Sequence, residues 1–313
     1  MISVIIPLFN TRIYLEQTLE AFVKQTCQDF ELIIIDDASE DNPYPVIIQS
    51  TKKIKSKVHY YRLPVHKGAS TARNTGLTYA QGELVCFVDS DDVVSSNFIE
   101  DFLSKYKNSQ YDMCFCKYCV QDNRFGKSII HNIENNVSSK NAFLVRKHYL
   151  MGVTHICHCA TVFQRDFLLT NNLCYAEGCR CAEDTELICK ALFIAKRISS
   201  IDEVLYTYRQ RESSISHSIP DERFIDAYYA MCRTQKSIPP LWRPYFFCTK
   251  RSRIHSFIID QFLQRDMPIP WYYCSKIEII LCLGLSIIFS KHTAKHRHIF
   301  INIVRNNIRF GKQ

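Results

Sequence analysis

The run Phe30-Glu31-Leu32-Ile33-Ile34-Ile35-Asp36-Asp37 decides the fold. Its apolar residues are consecutive and do not alternate with polar ones, so both faces of the strand they form must be covered, as in the middle of a parallel sheet. The run breaks off at two carboxylates, where such a strand leaves the core. Toward the N-terminus, Ser3–Pro7 reads as a short buried strand. Asn10 or Thr11 can cap a following helix with Leu15, Leu19, Phe22 and Val23 on one face. Toward the C-terminus, Pro43 and Pro45 open a helix to about Lys53, and Val58–Leu63 forms a strand. Ala69–Gln81 reads as a helix stopped by Gly82. Leu84–Val88 is a third central strand, ending in Asp89-Ser90-Asp91-Asp92. A helix over Asn97–Tyr106 and a strand over Met113–Val120 complete the series. The pattern predicts an α/β chain: a mostly parallel sheet flanked by helices, with right-handed crossovers. Ligands of such sheets bind at the carboxyl ends of the strands. Those ends carry Pro7–Asn10, Asp36-Asp37 and Asp89–Asp92.

After residue 125 or so the alternation loosens. Lys140–Leu150 and Glu183–Ala195 read as helices, and His155–Phe163 and Ile201–Tyr208 as strands. From Pro220 the chain reads as helical and basic.

The 313 residues are 47% apolar and 22% charged, which excludes disordered and fibrous classes. No two of the eight glycines lie within four positions of each other, so neither a dinucleotide-binding loop nor a Walker loop can be written. The net charge of +8 is uneven: residues 241–313 hold 12 Lys/Arg against 3 Asp/Glu, and residues 1–240 hold 27 against 28. A basic tail suits an anionic membrane surface or nucleic acid, but no nucleic-acid recognition motif is present and none is expected as a partner. Trp271-Tyr272-Tyr273, the apolar Ile279–Phe289 and the basic residues Lys291, Lys295, Arg297, Arg305 and Arg309 suit a helix in a membrane interface; packing of this helix on the remainder of the protein is the other reading. The apolar stretch falls well short of the ~18 residues of a membrane span. With no secretory signal, the 15 cysteines point to a cytoplasmic protein with reduced thiols, in peripheral contact with the inner face of the membrane. Among the clusters Cys114/Cys116/Cys119, Cys157/His158/Cys159 and Cys174/Cys179/Cys181, only Cys116–Cys119 has C-x-x-C spacing, and it lies in a strand pattern. Buried thiols filling a core are expected in place of a zinc site.

Asp89, Asp91 and Asp92 place three carboxylates within four residues at the end of a buried strand. Their repulsion is costly unless a cation is shared. Hard divalent ions such as Mg2+ or Mn2+ take oxygen ligands and share them with substrate phosphates. A solvated acidic loop, with Ser95-Ser96 capping the next helix, is the other reading. For Asp36-Asp37 it is a turn in which Asp and Ser39 bond local backbone.

These residues carry a resemblance. Val4-Ile5-Ile6-Pro7-Leu8-Phe9-Asn10, Gln25-Thr26 and Ile35-Asp36-Asp37-Ala38-Ser39 resemble the opening of family 2 glycosyltransferases. Gly68–Gly76, containing Ala72-Arg73-Asn74, is similar to that family's Ala-Arg-Asn segment. Phe87–Asp92 is similar to its metal motif, Ala182-Glu183-Asp184 to its Glu-Asp motif, and Val204–Arg209 with Ser213–Ser216 to the segment closing its catalytic domain. The resemblance implies a GT-A fold, a nucleotide-sugar donor and inversion at the anomeric carbon. It places Pro7, Leu8 and Phe9 in the nucleoside pocket, Asp37 against a uracil ring, Arg73 and Asn74 near the donor, and Asp89 near its ribose, with Ser90, Asp91 and Arg209 also among the nucleotide-sugar-binding residues. Asp91 would bind Mn2+ or Mg2+, with Asp89 and Asp92 as weaker candidates. Asp184 matches the catalytic base, and Glu183 is the alternative. A helix start suits Asp184, because the helix dipole keeps it ionised, and N-terminal helix capping is the other reading of both carboxylates. Lys67, Arg209 and Arg211 are candidates for the diphosphate.

The signature of processive members, Gln-x-x-Arg-Trp, is absent. The expectation is therefore a metal-dependent, non-processive hexosyltransferase. It would move a sugar, most simply from a UDP-sugar, to a hydroxyl of a glycan or lipid-linked precursor in surface polysaccharide or lipopolysaccharide biosynthesis. A catalytically silent sugar-nucleotide-binding or scaffold protein is the rival. The expected domains are 1–217, a GT-A catalytic domain (1–125 nucleotide-sugar side, 126–217 acceptor side), and 218–313, a basic helical C-terminal extension.

Overall fold

All residues of β1 (Ile2–Leu8) are buried, as an unbroken apolar strand requires when helices cover both sides of it. The computed structural model describes residues 1–122, 127–131, 141–210, 223–247, 269–270 and 310–311. After β1 come α1 (Arg12–Val23), β2 (Phe30–Asp36, also wholly buried), α2 (Tyr44–Thr51), β3 (Lys57–Arg62), α3 (Ala69–Tyr79) and β4 (Leu84–Phe87). Strands β3-β2-β1-β4 lie side by side and are all parallel, with Ile5 paired to Ile33 on one side and Phe87 on the other.

β5 (Val93–Val94), α4 (Phe98–Ser109), β6 (Met113–Asp122), β7 (Lys127–His131), α5 (Ala142–Met151), β8 (Thr161–Gln164), α6 (Arg165–Thr170), α7 (Glu183–Ile194) and β9 (Ile198–Gln210) follow. β8 enters the sheet between β4 and β6, antiparallel to both, and β6 pairs in parallel with β9. This insertion matters for the site. Because Cys86 faces Val162 across the β4–β8 ladder, the turn before β8 must lie beside the chain leaving β4. In the same way β5 pairs with β9 through Val93 and Thr207, which brings Arg209 under the loop between β4 and β5.

Alternation along β1 divides the core between the two faces. Val4, Ile6 and Leu8 pack toward α1 and α4, while Ile5 packs with α3 and the α5–α7 side. Gly76 in α3 lets that helix approach closely, since an added Cβ would lie 2.3 Å from Ile5 Cγ2.

Three local expectations change. The helix expected to run to Gln81 ends at Tyr79, because Ala80 is already extended. Gly82 is needed for close packing, since a Cβ there would lie 2.7 Å from the backbone N of Ser3. The strand expected over His155–Phe163 is confined to Thr161–Gln164. Its first half is a turn, closed by Ala160 N–H to Cys157 O and Thr161 N–H to His158 O. The strand expected over Ile201–Tyr208 runs from Ile198 to Gln210, with an irregular register opposite Lys117.

The boundary expected at 217/218 lies outside the described residues. Beyond it, α8 (Arg223–Ser237) and α9 (Arg243–Phe246) pack into the core shared with α7. Ala230, Met231 and Phe246 are fully buried in the cluster that holds Leu187 and Ile188. Arg233 reaches the buried carboxylate of Glu186 at 2.6 Å. The interfacial segment of Trp271–Tyr273, Ile279–Phe289 and the basic residues after it lies outside the described residues. No described helix is long and apolar enough to cross a membrane.

Candidate active site

At the ends of β1 and β2 the chain turns through left-handed residues, Asn10 (φ 51°) and Ala38 (φ 61°). Strained backbone of this kind persists where its surroundings enforce it. Pro7 and Leu8 finish β1 inside the core, and Phe9 emerges 40% exposed. Asp36 and Asp37, adjacent in sequence, divide. Asp36 turns to the β3 side and accepts from Ser39 N–H (2.8 Å), Tyr60 Oη (2.7 Å) and the Arg62 guanidinium. Burial would raise the Asp36 carboxyl, but these donors outweigh it and hold it below its ordinary value. Asp37 turns toward the loop before α3. It accepts from the backbone N–H of Lys67 (2.8 Å) and Gly68 (2.7 Å), and His66 Nδ1 stands 2.8 Å away. The His66 ring lies over Phe9 with centroids 3.9 Å apart and planes at 23°. Sequence reasoning missed His66; its signal was a ring one residue before Lys67 in the loop that precedes the Ala-Arg-Asn segment.

The Asp89–Asp92 loop is held from beneath. Thr18 Oγ1 donates to the carbonyls of Ser90 (3.0 Å) and Asp92 (2.8 Å), and Ser90 Oγ lies 2.7 Å from Thr11 Oγ1. Gln25 reaches the far end of the loop, donating to Ser95 O and accepting from Ile99 N–H. Arg209 is buried and donates to Asp91 O, Gln17 Oε1 and Thr18 Oγ1, while its backbone N–H donates to Asp92. This geometry holds the loop in place and does not present the guanidinium to a diphosphate. Ser90 likewise turns its hydroxyl toward α1. Asp92 also accepts from Tyr206 Oη. Burial first, then the nearby charges of Asp91 and Asp89, pushes the Asp92 carboxyl well up. Both oxygens of Asp92 accept from the protein and its carboxyl is pushed toward the neutral form, which disfavours it as a ligand and leaves Asp91 and Asp89 as the expected ones, Asp89 sharing Oδ1 with Arg73. The loop is a buried concentration of negative charge, a donor set that fits a hard divalent cation.

Arg73 joins this loop to α7. Buried and lying over the Tyr175 ring, it donates to Asp89 Oδ1 at 2.8 Å and stands 3.4 Å from Glu183 Oε1. Asn74 points elsewhere. It donates to Tyr175 O and accepts from Tyr175 N–H, each at 2.9 Å, and so fastens the segment leading to α7. Glu183 and Asp184 open α7 after Ala182, a left-handed residue (φ 63°). His158 Nδ1 lies 3.5 Å from Asp184 Oδ2, and its Nε2 lies 2.9 Å from Cys159 Sγ. The environments of the two carboxylates diverge. Burial and the charge of Asp184 raise Glu183. For Asp184, burial also acts upward, but His158, the Thr185 N–H and Arg73 outweigh it and hold the carboxyl down at about 2. Neighbouring carboxyls whose values are driven apart mark divided acid–base roles. The described cysteines are free thiols. Cys86, Cys114 and Cys116 are buried, as core-filling thiols should be. Cys159 is buried in the same core, and it also lies with Asp89 and His158 in a group whose ligand atoms are within 4.8 Å of one another. Arg211 and Ser213–Ser216 lie outside the described residues.

The sequence profile described as Glycosyl transferase family 2 matches residues 3–170, more than half of the chain. The chain belongs to this family. One family relative is the minor teichoic acid biosynthesis protein GgaB of Bacillus subtilis (strain 168). It is 31% identical over 219 residues, which are 68% of this chain and 23% of GgaB. Another is TarP of Staphylococcus aureus (strain N315), a poly(ribitol-phosphate) beta-N-acetylglucosaminyltransferase. It is 31% identical over 203 residues, 63% of this chain and 59% of TarP. The chain thus spans less than two thirds of the length of either relative. A crystal structure of S. aureus TarS residues 1–349 in complex with UDP-GlcNAc superposes with a TM-score of 0.68 at 20% identity, covering 97% of this chain and 89% of that one. This likeness is one of fold, and it agrees with the GT-A architecture that the family resemblance implied.

Proposed function

We propose that this family 2 chain is an inverting, divalent-metal-dependent, non-processive glycosyltransferase that moves a sugar from a UDP-sugar to a hydroxyl of a cell-surface glycan or its lipid-linked precursor. The observation that carries the reading is the bridge made by Arg73, which touches the acidic loop through Asp89 and the start of α7 through Glu183. On this reading the two halves of an inverting transfer lie on either side of Arg73. A nucleoside diphosphate departs on the loop side, and an acceptor hydroxyl is deprotonated on the α7 side.

The attacking hydroxyl is a poor nucleophile, so a carboxylate must take its proton as attack proceeds. Asp184 suits that role because it stays ionised, and Glu183 serves better as the partner of Arg73. Asp91 and Asp89 would hold the cation, which when bound supplies positive charge against the leaving diphosphate. Arg73 supplies a fixed, buried positive charge beside Asp89. UDP is favoured by the acceptor carboxylate of Asp37 beside the exposed ring of Phe9, and by the UDP-GlcNAc held by TarS. The names of GgaB and TarP support a cell-wall polymer as acceptor. The catalytic body extends from β1 to at least Phe247, and the basic residues after it are assigned to peripheral contact with the inner membrane face. The test is a screen of nucleotide sugars for release of the nucleoside diphosphate, with Mn2+ and then with excess EDTA. Activity with UDP-sugars that EDTA removes and Asp184→Asn abolishes is the expected result; equal activity with and without EDTA would refute the metal.

A further inference from the structure

His66 makes two contacts that a bound nucleobase would make. Its ring is stacked on Phe9 (3.9 Å, 23°), and its Nδ1 lies 2.8 Å from Asp37 Oδ2. Phe9 and His66 are 40% and 52% exposed, so both are open to solvent, whereas Asp37 is 1% exposed. A buried carboxylate needs hydrogen-bond donors, and an exposed aromatic face favours a stacked ring. In this chain one imidazole occupies both places, with its ring on Phe9 and its Nδ1 2.8 Å from the carboxylate. The loop does not depend on that imidazole for its position. Asp37 also accepts from the main-chain N–H groups of Lys67 and Gly68, at 2.8 and 2.7 Å, and Gly68 takes the left-handed turn (φ 92°) that these bonds require.

We propose that His66 is an internal stand-in for the nucleobase, which a pyrimidine nucleotide must displace in order to bind. The inference rests on the reading of Phe9 and Asp37 as the base site and adds a residue that competes for it. Asp37 Oδ2 cannot accept from a ring N–H of uracil in the same direction while it faces His66 Nδ1, and Phe9 cannot stack closely on two rings through one face. Binding therefore breaks the His66 contacts before it makes its own, and the measured affinity is lower than the intrinsic one. Rotation about the side-chain bonds of His66 is enough to clear the site, since the ring is half exposed and the main chain of the loop is held separately.

The test uses the full chain and UDP itself as the probe. His66→Ala should tighten UDP binding about 3- to 10-fold by calorimetry, the range expected when one close polar contact and one stacked contact no longer compete. NMR supplies a second readout. The His66 ring protons should show the upfield shift of a ring stacked on Phe9, lose it when UDP is added, and keep it when ribose 5-phosphate is added in its place. The Phe9→Leu variant identifies the shift as that of the stack. Unchanged or weaker UDP binding by His66→Ala, while the wild-type protein binds UDP, overturns the stand-in and leaves the base site standing. Failure of the wild-type protein to bind UDP overturns the base site itself and the stand-in with it. Retention of the His66 shift in the UDP complex also overturns the proposal, because the ring would then not have moved.

Discussion

His158 presents Nδ1 to Asp184 Oδ2 at 3.5 Å, across the junction between the turn before β8 and the start of α7. The contact follows from topology. β8 runs antiparallel to β4, so the turn of Cys157–Ala160 lies beside Asp89, and α7 approaches the same point from the other side. A histidine–carboxylate contact, ionic when His158 is protonated, thus joins residues 26 positions apart at the place where the proposed chemistry needs an ionised base.

The pair predicts a shift in the pH profile. Asp184, held at about 2, is ionised throughout the working range, and it adds stability that is present above the ordinary carboxylate value and lost as pH falls toward 2. His158 is affected in the opposite sense. Burial disfavours its charge, but Asp184, Asp89 and Cys157 together outweigh it and raise the group, so its contribution is present at low pH and lost as pH rises through the raised value. In His158→Gln, burial of Asp184 acts with less opposition and its carboxyl rises. The acid limb of kcat/KM should move to higher pH, with a smaller loss at alkaline pH. An unmoved acid limb would show that His158 does not set the state of the base.

Asp184→Asn preserves shape but cannot accept a proton. Its kcat should fall by roughly 10²–10⁴, with UDP affinity little changed. If Asp184→Asn is active and Glu183→Gln is inactive, the two roles are exchanged. Stopped-time transfer assays on both variants separate the cases.

Arg209→Leu tests what lies beneath the acidic loop. The substitution removes donors from Asp91 O, Gln17 and Thr18 in a buried setting. A loss of about 3 kcal/mol is expected. A lower Tm with or without nucleotide is the result that fits a residue holding the loop. An unchanged Tm with weakened UDP binding would return Arg209 to the diphosphate.

Much of this site could be read from the chain before folding. The consecutive apolar runs ending in Asp36-Asp37 and Asp89–Asp92 placed two strand ends correctly, because a strand buried on both faces has few other solutions. What could not be read was the direction each polar side chain takes. Asp36 and Asp37 are equivalent in sequence, yet one faces Arg62 and the other faces the loop before α3. Arg209 and Asn74 are as polar as Arg73, but the pairing of β5 with β9 turns Arg209 under the loop, and Asn74 meets the main chain of Tyr175. Such outcomes depend on contacts between residues 24 to 192 positions apart, which periodicity does not encode. From the sequence alone His66 has no role, and His158 counts only with Cys157 and Cys159 as a zinc ligand, for the same reason: a single histidine becomes informative only when its neighbours are known.

The C-terminal segment makes two separable predictions. A chain ending at residue 222 loses α8 and α9, which bury Ala230, Met231 and Phe246 against α7, and leaves Glu186 buried without Arg233. It should be insoluble or unfolded, since an exposed core face and a buried carboxylate stripped of its arginine are each severely destabilising. A chain ending at Phe247 retains those contacts and should keep UDP binding and donor hydrolysis. It also loses residues 248–313, with eleven Lys/Arg against three Asp/Glu and the apolar stretch Ile279–Phe289. If that segment makes the membrane contact, the full chain should sediment with anionic vesicles at low salt, at about 1 kcal/mol for each basic residue near the surface, and be released as salt screens the attraction. The chain ending at Phe247 should stay in the supernatant at every salt concentration. Full-length protein that ignores anionic vesicles at low salt would end the membrane assignment while leaving the proposed chemistry of Asp91 and Asp184 intact.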